Sequence, residues 1–192
     1  MAPDVCIVQG LSGTAERTDQ ELVAAANAGE ASAFEGIYFR HRDWVVSLAY
    51  RFCGDRELAL DVLQESFLYL LKKFPGFELR CEMRSFLYPV VKHLALNAKA
   101  KAGRYELEHE GDDLFAALEA PRSEASGEEE LRTALRKLPL QQRETVVLRF
   151  IEGMDLAEIA AALDVPTGTV KSRLHHALET LRKNPHLKEI FE

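Results

Sequence analysis

Cysteine is scarce in this chain of 192 residues: Cys6, Cys53 and Cys81 are an odd number at long spacings, with no C-x-x-C pair. That argues against a disulfide framework or a zinc knuckle and leaves buried free thiols. No apolar run approaches the roughly 18 residues that a membrane span needs. The opening stretch MAPDVCIVQGLSGTAERT lacks the basic-then-apolar layout of a secretory signal, so a cytoplasmic protein without membrane insertion is expected. Also missing are an H-E-x-x-H pair, a glycine-rich phosphate loop and any nucleophile-base-orienter set, so neither an enzyme nor a cofactor is expected. Tryptophan occurs once, as Trp44 in an apolar stretch, where core packing is the expectation. What remains, 47% apolar and 29% charged residues, is the composition of a soluble globular protein of one or two domains.

The net charge of −7 speaks against a nucleic-acid partner only until it is resolved along the chain. Residues 1–71 hold 5 basic and 11 acidic side chains, whereas residues 72–104 hold 8 basic and 2 acidic, a balance of +6. Residues 105–130 hold 1 basic and 10 acidic, a balance of −9, and residues 132–188 return to 10 basic and 6 acidic. Two partly basic modules joined by an acidic strap fit this pattern. A strap of about 26 residues reaches up to about 85 Å stretched and about 28 Å as a coil, so the modules can sit apart.

Period-2 alternation is nearly absent, and helical punctuation is frequent, which predicts an all-α chain. Thr18 and Glu21 form a capping box for a short helix that stops at Gly29. Phe34, Ile37, Val45, Leu48 and Phe52 then mark the inner stripe of a helix ended by Gly54. Asp55 can cap the next helix, which Phe74-Pro75-Gly76 breaks, and a further helix runs from about Ser85 to Ala102. Pro89 falls in that helix's first turn or kinks it. Ser126 and Glu129 form a second capping box, for a helix that Pro139 stops, and the next helix runs from about Leu140 to Glu152. The stretch DLAEIAAALDVPTGTVKSRLHHALETLRK is a helix-turn-helix pattern. Asp155 and Glu158 cap its first helix, Asp164 to Thr167 make the turn, and the second helix starts near Gly168. Small Ala160 admits close approach of the two helices, and Val170 locks the second onto the first.

At these residues the chain resembles the extracytoplasmic-function (ECF) sigma factors of the sigma-70 superfamily. The block LPLQQRETVVLRFIEGMDLAEIAAALDVPTGTVKSRLHHALETLRK is similar to region 4, with GTVKSRL after EIA its most specific string. Independently, ELVAAANAGEASAFEGIYFRHRDWVVSLAYRFCGD and ALDVLQESFLYLLKKFPGF resemble region 2. The resemblance implies two helical domains, a region 2 bundle and a region 4 helix-turn-helix, joined by an acidic linker. The expected divisions are an N-terminal extension (1–17), region 2 (18–104), the linker (105–127), region 4 (128–184) and a C-terminal tail (185–192). It further implies a promoter-specificity subunit with core RNA polymerase, promoter DNA and an anti-sigma factor as partners.

Asp61, Gln64 and Glu65 stand at steps of three and four, on one helical face, and Phe67 and Leu68 flank them. The resemblance assigns Asp61, Gln64, Glu65 and Leu68 to the polymerase clamp; on spacing alone they are equally an ordinary solvated face. Lys171, Ser172, Arg173, His175 and His176 occupy the recognition helix expected to read the minus-35 element. Arg173 and Arg149 are the better phosphate contacts there. The family usually has an arginine where this chain has His176, and an imidazole is a shorter and weaker donor than a guanidinium. His175 and His176 are adjacent, about 100° apart on a helix, which does not suit a metal pair. For the minus-10 element, strand opening calls for aromatic walls and basic groups. Arg80, Met83, Arg84, Phe86, Tyr88, Lys92 and His93 are the candidates, with Lys99, Lys101 and Arg104 along the phosphate path and core packing the alternative for the aromatics. Phe86, Pro89, His93 and Asn97 depart from the family's usual Trp, basic residue, Asn and Asp. A rival to the sigma factor is an autonomous helix-turn-helix regulator binding operator DNA as a dimer, but no separate dimerisation stripe is evident.

Overall fold

The computed structural model describes residues 17–103, 131 and 133–183, and these form helices and no strand. In chain order the helices are α1 (Asp19–Asn27), α2 (Ala31–Cys53), α3 (Arg56–Leu71), α4 (Met83–Lys101), α5 (Leu140–Phe150), α6 (Leu156–Leu163) and α7 (Thr167–Arg182). A helical turn over 133–136 precedes α5. The expected capping box at Ser126 and Glu129, the linker and both terminal segments lie outside the described residues, apart from Arg17 and Lys183.

Local chemistry sets most of the helix ends. The Thr18 hydroxyl accepts from the Glu21 amide at 3.2 Å while the Glu21 carboxylate accepts from the Thr18 amide at 2.7 Å, the reciprocal pair expected of that spacing. Gly54 ends α2 in the left-handed region (φ 70°), where it donates its N–H to the Tyr50 carbonyl at 2.8 Å. Asp55 then caps α3 by accepting from the amides of Glu57 and Leu58. The chain between α3 and α4 is held by one amide side chain. Asn27 accepts from the amides of Gly76 and Phe77 at 2.7 and 3.1 Å and donates to the Phe77 carbonyl at 2.9 Å. Pro89 lies neither in the first turn of α4 nor at a break: it is the seventh residue of a helix assigned without interruption from Met83 to Lys101. Since proline has no N–H, the helix runs through that point with one backbone bond missing.

Helices α2, α3 and α4 close around Ile37, Leu48, Phe52, Val62, Leu70, Leu87 and Val91, all at most 1% exposed. Full burial of each such side chain is worth about 1.5–3 kcal/mol. Helix α1 is tied on by charge: Asp19 accepts from Arg40 at 2.6 Å and pairs with the Nε2 of buried His41 at 2.9 Å. In the C-terminal module α6 and α7 cross over Ile159, Ala160 and Val170. Asp164 makes the turn between them in the left-handed region (φ 52°, ψ 49°), a conformation that aspartate tolerates better than most side chains. A second cluster, Ala134, Leu135, Leu138, Val146, Ala177 and Leu181, fixes the turn at 133–136 against α5 and α7. There the Arg143 guanidinium donates to the carbonyls of Arg136 and Leu138.

The modules do not sit apart. One continuous core includes Leu87 and Val91 of α4 together with Leu148, Met154, Ile159 and Ala162. Helix α6 lies on α4, where the Ser85 hydroxyl donates to the Glu158 carbonyl at 3.0 Å. The strap permits separation, but matched apolar faces and, as described below, matched charges bring the halves together. Trp44 also departs from expectation. It is half-buried at this junction rather than in the core, because its indole N–H has a partner in the other module, the Glu152 carboxylate at 2.7 Å.

Burial opposes ionisation of Asp19, yet the hydrogen bonds and positive charge of His41 and Arg40 hold its carboxyl below the ordinary 3.8. A carboxyl depressed in the folded state stabilises fully above that ordinary value, and the contribution is lost as pH falls through the folded value. Replacing Asp19 with Asn is therefore expected to lower stability by about 1 kcal/mol at neutral pH. The gap to the wild type should close below about pH 4 in urea unfolding followed across pH; a deficit constant from neutral to acid would contradict this account.

Candidate nucleic-acid interface

Helix α7 begins one residue after Pro166, whose fixed φ suits a helix start, and buries Val170, Ala177 and Leu181. A helix with that inner stripe must turn its remaining side chains outward, and Lys171, Ser172, His175 and His176 are all exposed. The Ser172 hydroxyl donates to the Thr169 carbonyl at 3.0 Å. Both histidines approach Glu179, at 3.8 and 3.6 Å, which aligns them along the helix surface. Arg173 is half-buried and donates to the Gln141 side-chain oxygen at 2.8 Å, and exposed Arg149 donates to the Met154 carbonyl at 2.9 Å. Both guanidiniums are thus fixed by neutral acceptors and keep their full charge.

Helix α3 buries Val62, Leu63, Ser66, Phe67 and Leu70, so Asp61, Gln64, Glu65 and Leu68 lie together on its outer side, all exposed. Phe67 does not flank that face: it points inward, in edge contact with Phe34 and Tyr38. The outer side carries more apolar surface than the sequence spacing singled out, with Leu60, Leu68, Tyr69 and Leu71 between 41% and 52% exposed. An uncovered patch of that kind beside acids is unusual on a free surface and suits a protein partner.

Helix α4 splits the minus-10 candidates. Arg80 is exposed and paired with Glu78 two residues before it, at 2.7 Å. His93 is exposed and hydrogen-bonded to Asn97 at 2.9 Å. Phe86 is half-buried in an aromatic row, 4.9 Å from Phe77 and 6.5 Å from Tyr69 between ring centres. Met83 and Tyr88, by contrast, are buried at 0% and 2% exposure. Met83 fills the N-terminal core, which removes it from any surface this conformation presents. Tyr88 is covered by the C-terminal module: its hydroxyl donates to the Glu144 carboxylate, which also pairs with the Lys92 ammonium at 2.6 Å. Burial, and then the adjacent Glu144 charge, push the Tyr88 phenol well above its ordinary value of 10, so it remains a donor at physiological pH.

A second carboxylate, Glu152, enters the N-terminal module beside Trp44 and forms an ion pair with Arg51. Arg84 closes the group, its guanidinium 5.7 Å from the Trp44 ring centre and its NH1 3.4 Å from the Glu152 carbonyl. Sequence reasoning misses Glu144, Glu152 and Arg51. The available signal was an acid inside an apolar helical stretch, since a buried carboxylate requires a partner. Among the described residues no group of three or more His, Cys, Asp or Glu is placed to hold a metal ion, and no helix is long and apolar enough to cross a membrane.

The family models "Sigma-70 region 2" and "Sigma-70, region 4" match residues 37–105 and 128–181, together more than half of the chain. Among curated relatives, the "ECF RNA polymerase sigma factor BldN" of Streptomyces coelicolor is 31% identical over 170 residues, which cover 85% of this chain and 64% of that protein. The "ECF RNA polymerase sigma-E factor" of Escherichia coli is 30% identical over 181 residues, covering 85% of this chain and 92% of the relative. A solved structure of CnrH in complex with the cytosolic domain of CnrY superposes with a TM-score of 0.57 at 24% identity, over 84% of this chain and 93% of that one, and so shares the fold. With both regions matched in order on a helical chain, and with a relative at 30% identity along nearly its whole length, this chain belongs to the ECF sigma factors of the sigma-70 family.

Proposed function

We propose that the chain is the dissociable promoter-specificity subunit of a bacterial RNA polymerase and initiates transcription without catalytic chemistry of its own. Region 2, residues 18–104, engages core polymerase and the minus-10 element; region 4, residues 128–184, engages the minus-35 element; residues 105–127 link them. The observation that carries this is the outer side of α3, where exposed Leu68 and its apolar neighbours stand beside Asp61, Gln64 and Glu65. An autonomous DNA-binding regulator has no use for such a patch outside a dimer interface, whereas a subunit of a larger machine docks through one.

In region 4, Lys171, Ser172, His175 and His176 face the major groove, and Arg149 and Arg173 take backbone phosphates. In region 2, Arg80, Arg84, Phe86, Tyr88, Lys92 and His93 are assigned to the melted minus-10 strand, Tyr88 and Lys92 only after the modules part. Met83 supports that surface from inside. An anti-sigma protein holding the subunit in reserve is part of the same reading.

Two paired substitutions separate these roles. Replacing Lys171 and Arg173 with Ala is expected to weaken holoenzyme binding to promoter DNA and to reduce the salt slope by about 2, with core association unchanged. Replacing Asp61 and Glu65 with Lys should abolish co-elution with core polymerase in gel filtration and run-off transcription, while the isolated chain binds DNA no less tightly. Identical behaviour of the two pairs would refute the division of labour. A third change, His176→Arg, restores a fixed charge on the recognition helix. It should steepen the salt dependence of holoenzyme binding by about 1 in slope; an unchanged slope would place His176 off the DNA.

A further inference from the structure

Region 4 covers part of region 2 in a chemically specific way. Its two buried carboxylates, at 6% and 7% exposure, each fall on a cluster of donors. Glu144 takes the Tyr88 hydroxyl and the Lys92 ammonium, 56 and 52 residues away in sequence. Glu152 takes the Trp44 indole N–H and the Arg51 guanidinium, with Arg84 over the same indole ring. Cations and an aromatic donor gathered around one oxyanion are what a nucleic-acid phosphate also requires. Arg84, Tyr88 and Lys92 of the clusters already belong to the minus-10 surface proposed above, and Trp44 and Arg51 extend it onto α2.

We infer that Glu144 and Glu152 stand where DNA phosphates go: in the free chain they close region 4 over region 2 and mask a DNA-binding surface that includes an anion seat built from Trp44, Arg51 and Arg84. The inference rests on the sigma-factor reading and adds to it a closed state, its two fastenings and a seat for phosphate on α2. Binding of DNA to region 2 then requires the modules to part, and apparent affinity falls by the fraction of chains that are open. Carboxylates suit such a fastening. Each buried ion pair adds little net stability because desolvation offsets attraction, so the closed state is specific in register and still reversible. The apolar contacts of α4 with α6 hold the closed state together, and the two carboxylates fix where it closes.

The test uses the full chain with three variants. In E144K/E152K both fastenings become repulsive; E35K/E57K makes the same change of charge at exposed glutamates away from the junction; K92E/E144K re-forms one pair with its charges exchanged. Small-angle scattering should give E144K/E152K a larger radius of gyration than wild type, with helical circular dichroism retained because each module keeps its own core. K92E/E144K should return to the compact dimension. Fluorescence anisotropy on a labelled single-stranded DNA of mixed sequence should show E144K/E152K binding about tenfold or more tighter than E35K/E57K. Adding Arg51→Ala to E144K/E152K should then lower the salt slope by about 1, the seat's one lost phosphate contact. Dimensions unchanged in E144K/E152K, affinity no greater than that of the charge-matched control, or a slope indifferent to Arg51 would overturn the inference. If E144K/E152K loses its helical signal, expansion of K92E/E144K beyond the wild-type dimension overturns it as well, and compactness supports it. Failure of the wild type to support run-off transcription with core polymerase would instead strike at the sigma-factor reading, since the scattering result involves no polymerase.

Discussion

The architecture depends on satisfying two acids. Glu144 and Glu152 sit in or just beyond α5, which faces two cores at once, and neither carboxylate reaches water in the closed arrangement. A carboxylate left in that position without partners costs several kcal/mol. The halves therefore fit only where Tyr88 and Lys92 meet the first acid and Trp44 and Arg51 meet the second. Apolar faces alone tolerate sliding; two charge clusters on either side of the α4–α6 contact do not. The relative placement of the modules is thus set by a small number of polar contacts, although most of the contact surface is apolar.

This explains which parts of the protein could be read from the chain and which could not. The caps at Thr18, Asp55 and Asp155, the stop at Gly54 and the helix-turn-helix around Val170 depend on residues within a few positions of one another, so spacing suffices to find them. The outward set on α7 and the acids on α3 follow from the same helical period. What spacing could not supply is the company a side chain keeps across 50 to 100 positions. Tyr88 looks like a surface aromatic until Glu144 covers it, and Trp44 looks like core until Glu152 supplies an acceptor for its N–H. Met83 fails as a surface residue for a simpler reason: as the first residue of α4 it turns under the helix into the core of α2 and α3. Pro89 is a comparable case, because only the packing on both sides of α4 lets a helix continue past a missing hydrogen bond.

The two DNA-facing surfaces differ in how their charges are held. On α4, Lys92 is neutralised by Glu144. On the recognition helix and the helix before the turn, Arg173 and Arg149 are positioned by an amide oxygen and a backbone carbonyl, which direct a guanidinium without cancelling it. A neutral acceptor fixes geometry and leaves the long-range field intact, whereas a carboxylate removes both at once.

That asymmetry sets an itinerary. Because a field acts before contact, the approach of the closed molecule to a duplex is steered by the end that has kept its cations, with Gln141 holding Arg173 extended like a sprung hook. The upstream half of a promoter is thereby met first, and the half that must be pulled apart is met only after the protein has itself come apart.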